Sequence, residues 1–435
     1  MTPELAGVVG FAALFLFLGL GVPVAISLLI VGFVGTVILS GFQAAAFTLS
    51  GQVFATATVY ELTIIPLFIL MGNLASVAGL SKDLFDAAYR VVGRLRGGLA
   101  AATIVGSAGF AALSGSSIAS AVTMGKVAYP EMRRFKYGER LATGSIAAGG
   151  TLGILIPPST GFVIYAVLTE ESIGRLFMAG VLPGILLTLM FLFAIFVVTL
   201  IWPEEGPRGP KFSLREKLQS LGKATGIVTI ILITIGGIYT GFFTPVEAAG
   251  VGAFFAFIML IIRGKFSIEN LYGIFAETLK TTGMAFFILV GANVFAPFVS
   301  LSHLPDTIAH GLAGLSLGTY GTLALILLGY VILGMFIEGL SLLVITLPIV
   351  FPLVVGMGFD PIWLGVVMVI VLEMGLISPP VGVNVFIVKS VVKDVKIETI
   401  FAGIMPFWIA MIVTLFLIVL FPDIALMLPN AMFNR

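Results

Sequence analysis

The chain has 435 residues, of which 59% are hydrophobic and 10% are charged, and its mean hydropathy is +1.19. A polar exterior cannot enclose so much apolar surface in water, so the composition excludes a soluble globular protein and predicts a polytopic membrane protein. Basic and acidic residues nearly balance, no basic patch with interleaved aromatic residues indicates nucleic acid as a partner, and the absence of cysteine excludes disulfides and thiolate metal sites.

Apolar runs predict the membrane spans, in two sets separated by a hydrophilic stretch. The first run begins at Leu5 without a preceding basic segment or a cleavage site, so we expect a retained span and not a signal peptide. Residues 204–223 are hydrophilic, with Gly and Pro early, and predict a linker. The runs are 5–20, 23–40, 60–78, 97–113, 118–130, 141–156, 160–168 and 174–201 before the linker, and 224–241, 245–262, 283–300, 318–335, 340–356, 361–378, 381–391 and 400–421 after it.

The two halves match each other in sequence, which predicts an internal repeat. Chance similarity between apolar segments would not maintain a near-constant offset, here 219 to 223 residues, from end to end. The matching pairs are Pro23 with Pro245, Phe68 with Phe287, Pro130 with Pro352, Gly153 with Gly375, Pro157-Pro158 with Pro379-Pro380, and Ala179 with Ala402.

The distribution of Lys and Arg predicts that the two repeats are inverted in the membrane, because short loops rich in these residues remain in the cytoplasm. The basic loops are 82–96, 126–140, 263–280 and 389–396, and their equivalents in the other half, which have no Lys or Arg, are 302–315, 351–361, 40–60 and 167–174. Inverted repeats with broken helices are typical of secondary transporters, whose binding site lies near the bilayer midplane.

Two segments are predicted to enter the membrane and return without crossing it. The loops on either side of 97–130 are both basic, so the two apolar arms meet in mid-membrane at the serine-rich turn Ser114–Ser117. Residues 318–356 form the counterpart, which turns near 336–339. A span broken at Pro157-Pro158 or Pro379-Pro380 follows each hairpin. The predicted fold is therefore all-α, with about ten spans, two re-entrant helical hairpins and both termini outside.

Four motifs carry a resemblance to a known family: S-G-S-S-I-A-S-A, G-T-L-G-I-L-I-P-P-S, G-M-F-I-E-G-L-S-L-L-V-I-T-L-P-I and E-M-G-L-I-S-P-P-V-G-V-N. Together, and in this order on an inverted repeat, they resemble the large membrane subunit of TRAP (tripartite ATP-independent periplasmic) transporters, DctM type. The resemblance implies sodium-driven import of a small organic acid, a carboxylate or sugar acid, across a bacterial or archaeal inner membrane by an elevator motion. It also implies two partners, a small membrane subunit of about four spans and a periplasmic substrate-binding protein.

The expected domains follow from this architecture. They are a first scaffold half with an arm helix (1–96), a first transport unit half (97–170), a span with the cytoplasmic linker (171–223), a second scaffold half with an arm helix (224–317), a second transport unit half (318–391), and a last span with the C-terminus (392–435). The arm helices are expected at 42–58 and 266–280, which are polar enough to lie along the membrane interface.

Two sodium sites are predicted, because sodium needs several oxygen ligands and hydroxyl groups supply them together with carbonyls freed where a helix unwinds. The first site combines the hairpin serines with carbonyls at the first break, namely Ser114, Ser116, Ser117, Gly153, Ile156 and Pro157. Repeat symmetry and the resemblance imply a second site at Gly334, Gly375, Ser378 and Val381. Small residues also serve close helix packing, and we expect that role for Ala147, Gly149 and Gly150.

Polar groups beside the breaks are the predicted substrate contacts: Ser116, Thr160, Glu338, Ser341 and Asn384. An acid at a mid-membrane hairpin tip, such as Glu338, is costly enough to indicate function. The resemblance implies Asp at this position, so the extra methylene of Glu alters the site. For Glu247 and Glu373 we expect structural pairing. The helix N-termini after each break favour an anionic group on the substrate.

Other functional classes fit the sequence less well. A primary pump needs a phosphate-binding loop, and the chain has no G-x-x-x-x-G-K-[ST] motif. An intramembrane serine protease needs a base, but the two histidines, His303 and His310, fall in a predicted outer connector, so we expect no enzyme. The alternative that remains is a stand-alone sodium- or proton-coupled transporter of the same inverted-hairpin architecture, without a binding protein.

The topology makes a direct prediction, because the natural chain contains no cysteine. Single cysteines that replace Lys136 or Ser213 are expected to react with an impermeant thiol reagent only from the cytoplasm. Cysteines that replace Asp306 or Asp360 are expected to react only from outside. Reaction of positions 136 and 360 from the same side would contradict the inverted repeat.

Overall fold

A computed structural model of the protein describes residues 2–314 and 317–433, and this part of the chain is helical throughout, without strands. Residues 315 and 316, at the end of the predicted outer connector, lie outside the described residues. The helices are α1 (Pro3–Gly19), α2 (Val24–Ser40), α3 (Phe42–Thr58), α4 (Ile64–Val77, after a 3-10 turn at Tyr60–Thr63), α5 (Leu80–Val92), α6 (Gly98–Ser114), α7 (Ser117–Arg134), α8 (Glu139–Leu155), α9 (Thr160–Thr169), α10 (Ile173–Ile201), α11 (Leu214–Tyr239), α12 (Pro245–Ile262), α13 (Ile268–Leu301), α14 (Leu304–Gly314), α15 (Gly318–Gly334), α16 (Gly339–Gly356), α17 (Pro361–Leu376), α18 (Val383–Val391), α19 (Ile397–Leu420) and α20 (Asp423–Phe433).

The predicted fold class, an all-α polytopic membrane protein, is confirmed. Among the described residues, eight helical segments are long and apolar enough to cross a membrane, and five shorter apolar helices accompany them. Helices α6 and α7 form the first hairpin, and α15 and α16 form the second. Each hairpin precedes a span that is broken into two helices, α8 and α9 in the first half and α17 and α18 in the second.

Helices α1–α4 and α11–α13 form one group, in which α13 packs along α2 and α12 along α4. Small residues allow the close approach, since a Cβ added to Gly32 would lie only 2.7 Å from the Cα of Phe295. Polar side chains also link these helices, because the Asn73 amide donates a hydrogen bond of 3.0 Å to the hydroxyl of Thr278. We call this group the scaffold group.

The two hairpins and the two broken spans form a second group. Both arms of the first hairpin pack on α8, both arms of the second pack on α17, and α10 and α19 cover the broken spans. Helices α8 and α19 meet at Gly144 and Gly403, where each glycine Cα lies against backbone of the opposite helix. We call helices α6–α10 and α15–α19 the hairpin group.

In the described part of the chain, an ion pair and a hydrogen bond each join two segments that the charge pattern assigns to the same side. Arg133 forms an ion pair of 2.6 Å with Asp394, and both lie in predicted cytoplasmic segments. On the opposite side, the Tyr165 hydroxyl donates a 2.6 Å hydrogen bond to the carbonyl of Pro361. The contacts therefore agree with the predicted topology.

Two predicted boundaries differ from the structure. The predicted linker 204–223 is shorter, because α11 begins at Leu214, where Ser213 and Glu216 cap the helix reciprocally. The hydrogen bonds from Ser213 lower the pKa of Glu216. In the second half, the predicted arm 266–280 is continuous with the following span, so α13 runs for 34 residues.

Candidate functional site

The tip of the first hairpin is a sharp turn that the sequence Ser114-Gly115-Ser116-Ser117 makes possible. Gly115 ends α6 with φ at +58°, a left-handed conformation that favours glycine. Ser116 then caps α7, because its hydroxyl accepts a hydrogen bond of 3.3 Å from the Ala119 N–H. The serine-rich motif therefore ends one helix and starts the next within two residues.

The first Pro-Pro break leaves helix carbonyls without their usual donors. Helix α8 ends at Leu155, and the next helix starts only at Thr160. The carbonyls of Gly153 and Ile154 would accept from the N–H groups of residues 157 and 158, but both are prolines, joined here by a cis peptide bond. Freed carbonyls of this kind are suitable ligands for a hard cation.

The hairpin tip and the break are in direct backbone contact. A Cβ added to Gly153 would lie 2.5 Å from the carbonyl oxygen of Ser116, so only glycine allows this approach. Thr160 closes the contact from the far side of the break, donating a hydrogen bond of 2.9 Å to the Gly115 carbonyl. Four predicted site residues, Ser116, Ser117, Gly153 and Thr160, therefore lie together.

The remaining residues of the predicted first sodium site have other surroundings. The Ser114 hydroxyl is hydrogen bonded at 3.2 Å to Ser120, which the sequence analysis did not single out. The side chain of Ile156 faces Gly184 on α10, and Pro157 is buried. These residues contribute backbone near the tip, while their side chains pack elsewhere.

Ser117 reaches across to the second half of the molecule. Its hydroxyl donates a hydrogen bond of 2.5 Å to Oε1 of Glu373, which is buried in α17. The sequence analysis expected structural pairing for Glu373 and Glu247. Glu247 caps α12 reciprocally with Thr244, whereas the second carboxylate oxygen of Glu373 has no partner. An acid within an otherwise apolar helix was the signal that pointed to Glu373.

The second helix of the second hairpin is capped by a carboxylate, whereas that of the first hairpin is capped by a hydroxyl. Glu338 caps α16, and its two oxygens accept hydrogen bonds from the N–H groups of Leu340 and Ser341 at 3.1 and 2.9 Å. The Ser341 hydroxyl also donates to Glu338, at 2.9 Å. Glu338 and Ser341 are thus neighbours at the tip, and their polar atoms stabilise the start of α16.

The second break meets the second tip as the first break meets the first. A Cβ added to Gly375 would lie 2.7 Å from the Cα of Gly334, so the two chains touch through glycine. The Ser378 hydroxyl donates to the Met374 carbonyl at 2.6 Å and accepts from the Trp408 indole at 2.8 Å. The N–H of Gly382, which follows Val381, is 3.4 Å from the Met335 carbonyl.

Asn384 is the buried side chain with the clearest unmet hydrogen-bonding capacity. It lies in the first turn of α18, immediately after the second break, and has no solvent exposure. Neither its amide nitrogen nor its amide oxygen has a partner. Because an unsatisfied buried polar group costs about 1–3 kcal/mol, this amide is expected to bind something that enters the site. The first turn of α18 also lacks a side-chain cap.

Two further observations bear on where a ligand binds. A cavity of about 590 Å³ lies between α10 and α19, next to Arg140 and Glu205, and not at the hairpin tips. In the part of the chain that the structure describes, no group of three or more His, Asp or Glu residues is arranged to hold a metal ion. The oxygens gathered at the tips and breaks are mostly carbonyl and hydroxyl oxygens.

Comparison with known proteins identifies close relatives of the chain. The family model described as tripartite ATP-independent periplasmic transporter, DctM component, matches residues 11–424. A C4-dicarboxylate TRAP transporter large permease protein of Pseudomonas aeruginosa is 38% identical over 384 residues, which cover 88% of this chain and 89% of the relative. A sialic acid TRAP transporter large permease protein of Vibrio cholerae is 33% identical over 426 residues, 96% of this chain and 98% of the relative.

A solved structure shows a similar fold at low sequence identity. The YdaH transporter of Alcanivorax borkumensis superposes with a TM-score of 0.57 at 16% identity, over 91% of this chain and 89% of that chain. This likeness concerns the fold alone.

Replacement of Asn384 tests whether its amide serves stability or binding. Asn384→Leu removes two unsatisfied polar atoms at similar volume, so we expect the free energy of unfolding to rise by about 1 kcal/mol, measured as a higher thermal midpoint in detergent. Ser378→Ala is the matched control, and we expect it to lower the midpoint because it removes two satisfied hydrogen bonds beside the same break. Equal destabilisation by both variants would show that Asn384 has a structural role.

Proposed function

Because the chain belongs to the DctM component family of tripartite ATP-independent periplasmic transporters, we propose that it imports a small organic acid together with sodium. The observation that carries this proposal is the pairing of two hairpin tips with two Pro-Pro breaks, in direct backbone contact at Gly153 and Gly375. Between them, these contacts gather hydroxyl groups and freed carbonyls deep in the helix bundle.

An anionic substrate suits the second break. The N–H groups at the start of α18 carry no side-chain cap, and a helix N-terminus favours a carboxylate. The unpartnered amide of Asn384 lies in the same turn and can donate to the same group. The relatives, whose names specify C4-dicarboxylate and sialic acid, support a carboxylate or a sugar acid as substrate. Ser116 and Thr160, which are partly exposed, complete the site from the first half.

The proposed sodium sites lie at the two contacts between a hairpin tip and a Pro-Pro break. We assign one ion to the first tip and break, where the carbonyls of Gly153 and Ile154 lack helical donors, and one ion to the equivalent place near Gly334 and Gly375. Both sites neutralise charge that an organic acid brings, and each joins a hairpin to a broken span. Ion binding therefore stabilises the arrangement that also forms the substrate site.

The partners follow from the family. We propose a small membrane subunit and a periplasmic binding protein that delivers the substrate, in an inner membrane. The scaffold group leaves large apolar side chains exposed on α3 and α13, including Phe47, Phe54 and Tyr272, which fits contact with lipid or with the small subunit. A stand-alone transporter remains the second candidate, and uptake without the binding protein would favour it.

An elevator motion is the proposed mechanism, because the helices fall into two groups. Contacts within the hairpin group include close backbone packing of Gly153 on Ser116, Gly375 on Gly334 and Gly144 on Gly403. The scaffold group meets the hairpin group mainly along α4 with α6 and α13 with α16. A rigid hairpin group that slides along the scaffold group carries substrate and sodium without breaking the site.

Uptake into proteoliposomes tests the function and the glycine contact together. We expect uptake of labelled C4-dicarboxylate or sialic acid to need sodium, the small membrane subunit and the cognate binding protein. Gly375→Ala is expected to reduce the uptake rate at least about tenfold, since its Cβ collides with the Gly334 backbone.

The control for this experiment is Gly339→Ala, at the same hairpin tip. A Cβ there meets side chains at 3.5 Å or more, which is an ordinary contact, so this variant should retain uptake. If the wild-type protein takes up none of a panel of organic acids with sodium, the small membrane subunit and the binding protein present, the proposed function is wrong.

Cross-linking tests the elevator motion. Phe68 on α4 and Phe177 on α10 lie in different groups, with ring centroids 5.8 Å apart. Phe191 and Phe407 both lie in the hairpin group, at 5.6 Å. Cysteines at the first pair, joined by a short thiol cross-linker, should stop uptake, whereas the same link at the second pair should not. Full uptake with the 68–177 link in place would favour fixed hairpins with local gates.

A further inference from the structure

The cavity between α10 and α19 is a groove that belongs to neither hairpin tip and neither break. It encloses about 590 Å³, a volume within the range of about 300–1,000 Å³ that small-molecule sites have in proteins. Small buried residues form its floor, Ala194 on α10 with Gly403 and Ala410 on α19. Larger exposed side chains such as Phe193 and Ile409 form its walls. The groove therefore opens away from the helix bundle, on a surface that faces lipid.

The groove has the length of one membrane leaflet. On α10 its lining runs from Met190 to Trp202, which follows the last residue of the helix, and an α-helical segment of this length rises about 18 Å. The hydrocarbon core of a bilayer is about 30 Å thick, so one leaflet occupies about 15 Å of it. On α19 the lining begins at Ala402, in the second turn, and ends at Val413. An apolar groove of this length fits an acyl chain of a phospholipid.

One end of the groove lies at the predicted cytoplasmic surface. Trp202 stands between α10 and the linker, and Arg140 lies in the first turn of α8, at the end of the basic loop 126–140. Half-exposed indole rings such as that of Trp202 concentrate at the level of the lipid headgroups, because they combine an apolar ring with an N–H donor. The polar end of a lipid in this groove therefore lies beside Arg140.

Three charged side chains line this end of the groove, namely Arg140, Glu204 and Glu205. Glu205 is engaged in the fold, because its carboxylate accepts a hydrogen bond of 3.3 Å from the Leu141 N–H at the start of α8. Arg140 and Glu204 are exposed, and neither side chain has a hydrogen bond or an ion pair within the described part of the chain. The groove thus offers a guanidinium and a carboxylate to a ligand at its cytoplasmic end.

A headgroup that carries both a negative and a positive charge matches these two side chains. A phosphate group accepts hydrogen bonds from a guanidinium in bidentate geometry. A primary ammonium group donates hydrogen bonds to carboxylates and carbonyls, as that of lysine does. The Ala402 carbonyl is a further acceptor in the groove, because residue 406 is a proline and lacks the N–H that would bond it. A headgroup without the ammonium group would instead place negative charge beside Glu204.

We propose that this groove binds one molecule of phosphatidylethanolamine from the cytoplasmic leaflet. An acyl chain fills the apolar groove, the phosphate binds Arg140, and the ammonium group donates to Glu204. The site goes beyond the proposed function, because it uses neither the sodium ligands nor the substrate contacts. Since Gly403 on the floor of the groove packs against Gly144 of α8, a filled groove also stabilises the contact between α8 and α19.

Native mass spectrometry of the full chain, purified with its small membrane subunit, measures the bound lipid without transport. The complex is delipidated in detergent, and phosphatidylethanolamine, phosphatidylcholine or phosphatidylglycerol with identical acyl chains is added. Phosphatidylcholine keeps both charges but has no N–H donor, and phosphatidylglycerol has no positive charge. We expect about one bound phosphatidylethanolamine per large subunit, and at least about fivefold less of each other lipid at the same concentration.

Two outcomes of this measurement would overturn the proposal. Equal binding of the three lipids would show unselective contact along the apolar surface of the protein. Binding of none of them would show that the groove is empty or is covered by the small membrane subunit.

Variants of the groove and of its charged end locate the lipid. Ala410→Phe places a ring in the groove and should abolish binding of phosphatidylethanolamine, whereas Ile412→Phe, on the exposed face of α19 outside the groove, should bind as the wild type does. Arg140→Gln removes the phosphate contact and should reduce the bound fraction at least about fivefold. Its control is Lys211→Gln, an exposed base in the linker, which should bind normally.

The headgroup contact has its own test. Glu204→Gln replaces the carboxylate with a neutral amide, so we expect the preference for phosphatidylethanolamine over phosphatidylcholine to fall at least about threefold. Arg140 and Glu204 are exposed, so these two variants decide the matter even if Ala410→Phe does not fold. Binding and selectivity that remain unchanged in both variants would overturn the proposal.

Discussion

The structure depends on one constraint, that backbone polar groups within a membrane must find partners inside the protein. Two Pro-Pro breaks free carbonyls within the helix bundle, and a hairpin contacts each break, although Pro157 and Pro158 are buried whereas Pro379 and Pro380 are exposed. The tips can reach the breaks only because Gly153 and Gly375 have no side chain. Helix ends that would be unstable in lipid thus stabilise one another, and the same unsatisfied oxygens are what a cation needs.

The two halves share this geometry but differ in the side chains placed on it. The residues that start the second arm of each hairpin are Ser116 in one half and Glu338 in the other. By the same repeat, the position of Glu373 corresponds to Thr151, whose hydroxyl bonds only to a carbonyl of its own helix. The symmetric backbone therefore provides two similar arrangements of tip and break, whereas the acids belong to the second half. The repeat thus duplicates the backbone of the site but not its charged side chains.

Much of the fold could be predicted from the sequence because its signals are local. Apolar runs identify the spans, Lys and Arg identify the sides, and Pro-Pro identifies the breaks. The early start of α11 was missed although the Ser213 and Glu216 capping pair lies within four residues. The sequence identified the segments that form the candidate site. It did not identify the hydrogen bond from Ser117 to Glu373, because these residues are far apart in sequence and a local pattern cannot show that they are close in space.

The unsatisfied groups follow from the need to bind and release. If the Asn384 amide and the second oxygen of Glu373 had protein partners, the empty site would be more stable and the ligands would have less to gain on entering. Leaving these atoms unpaired makes the empty site less stable, and in the proposed function the substrate and the cation would relieve this cost. In the proposed elevator mechanism, a partly filled site would resist moving, because an uncompensated buried charge is costly in apolar surroundings. Coupling between the organic acid and the cation can thus arise from electrostatics at two buried side chains, without a separate gate for each.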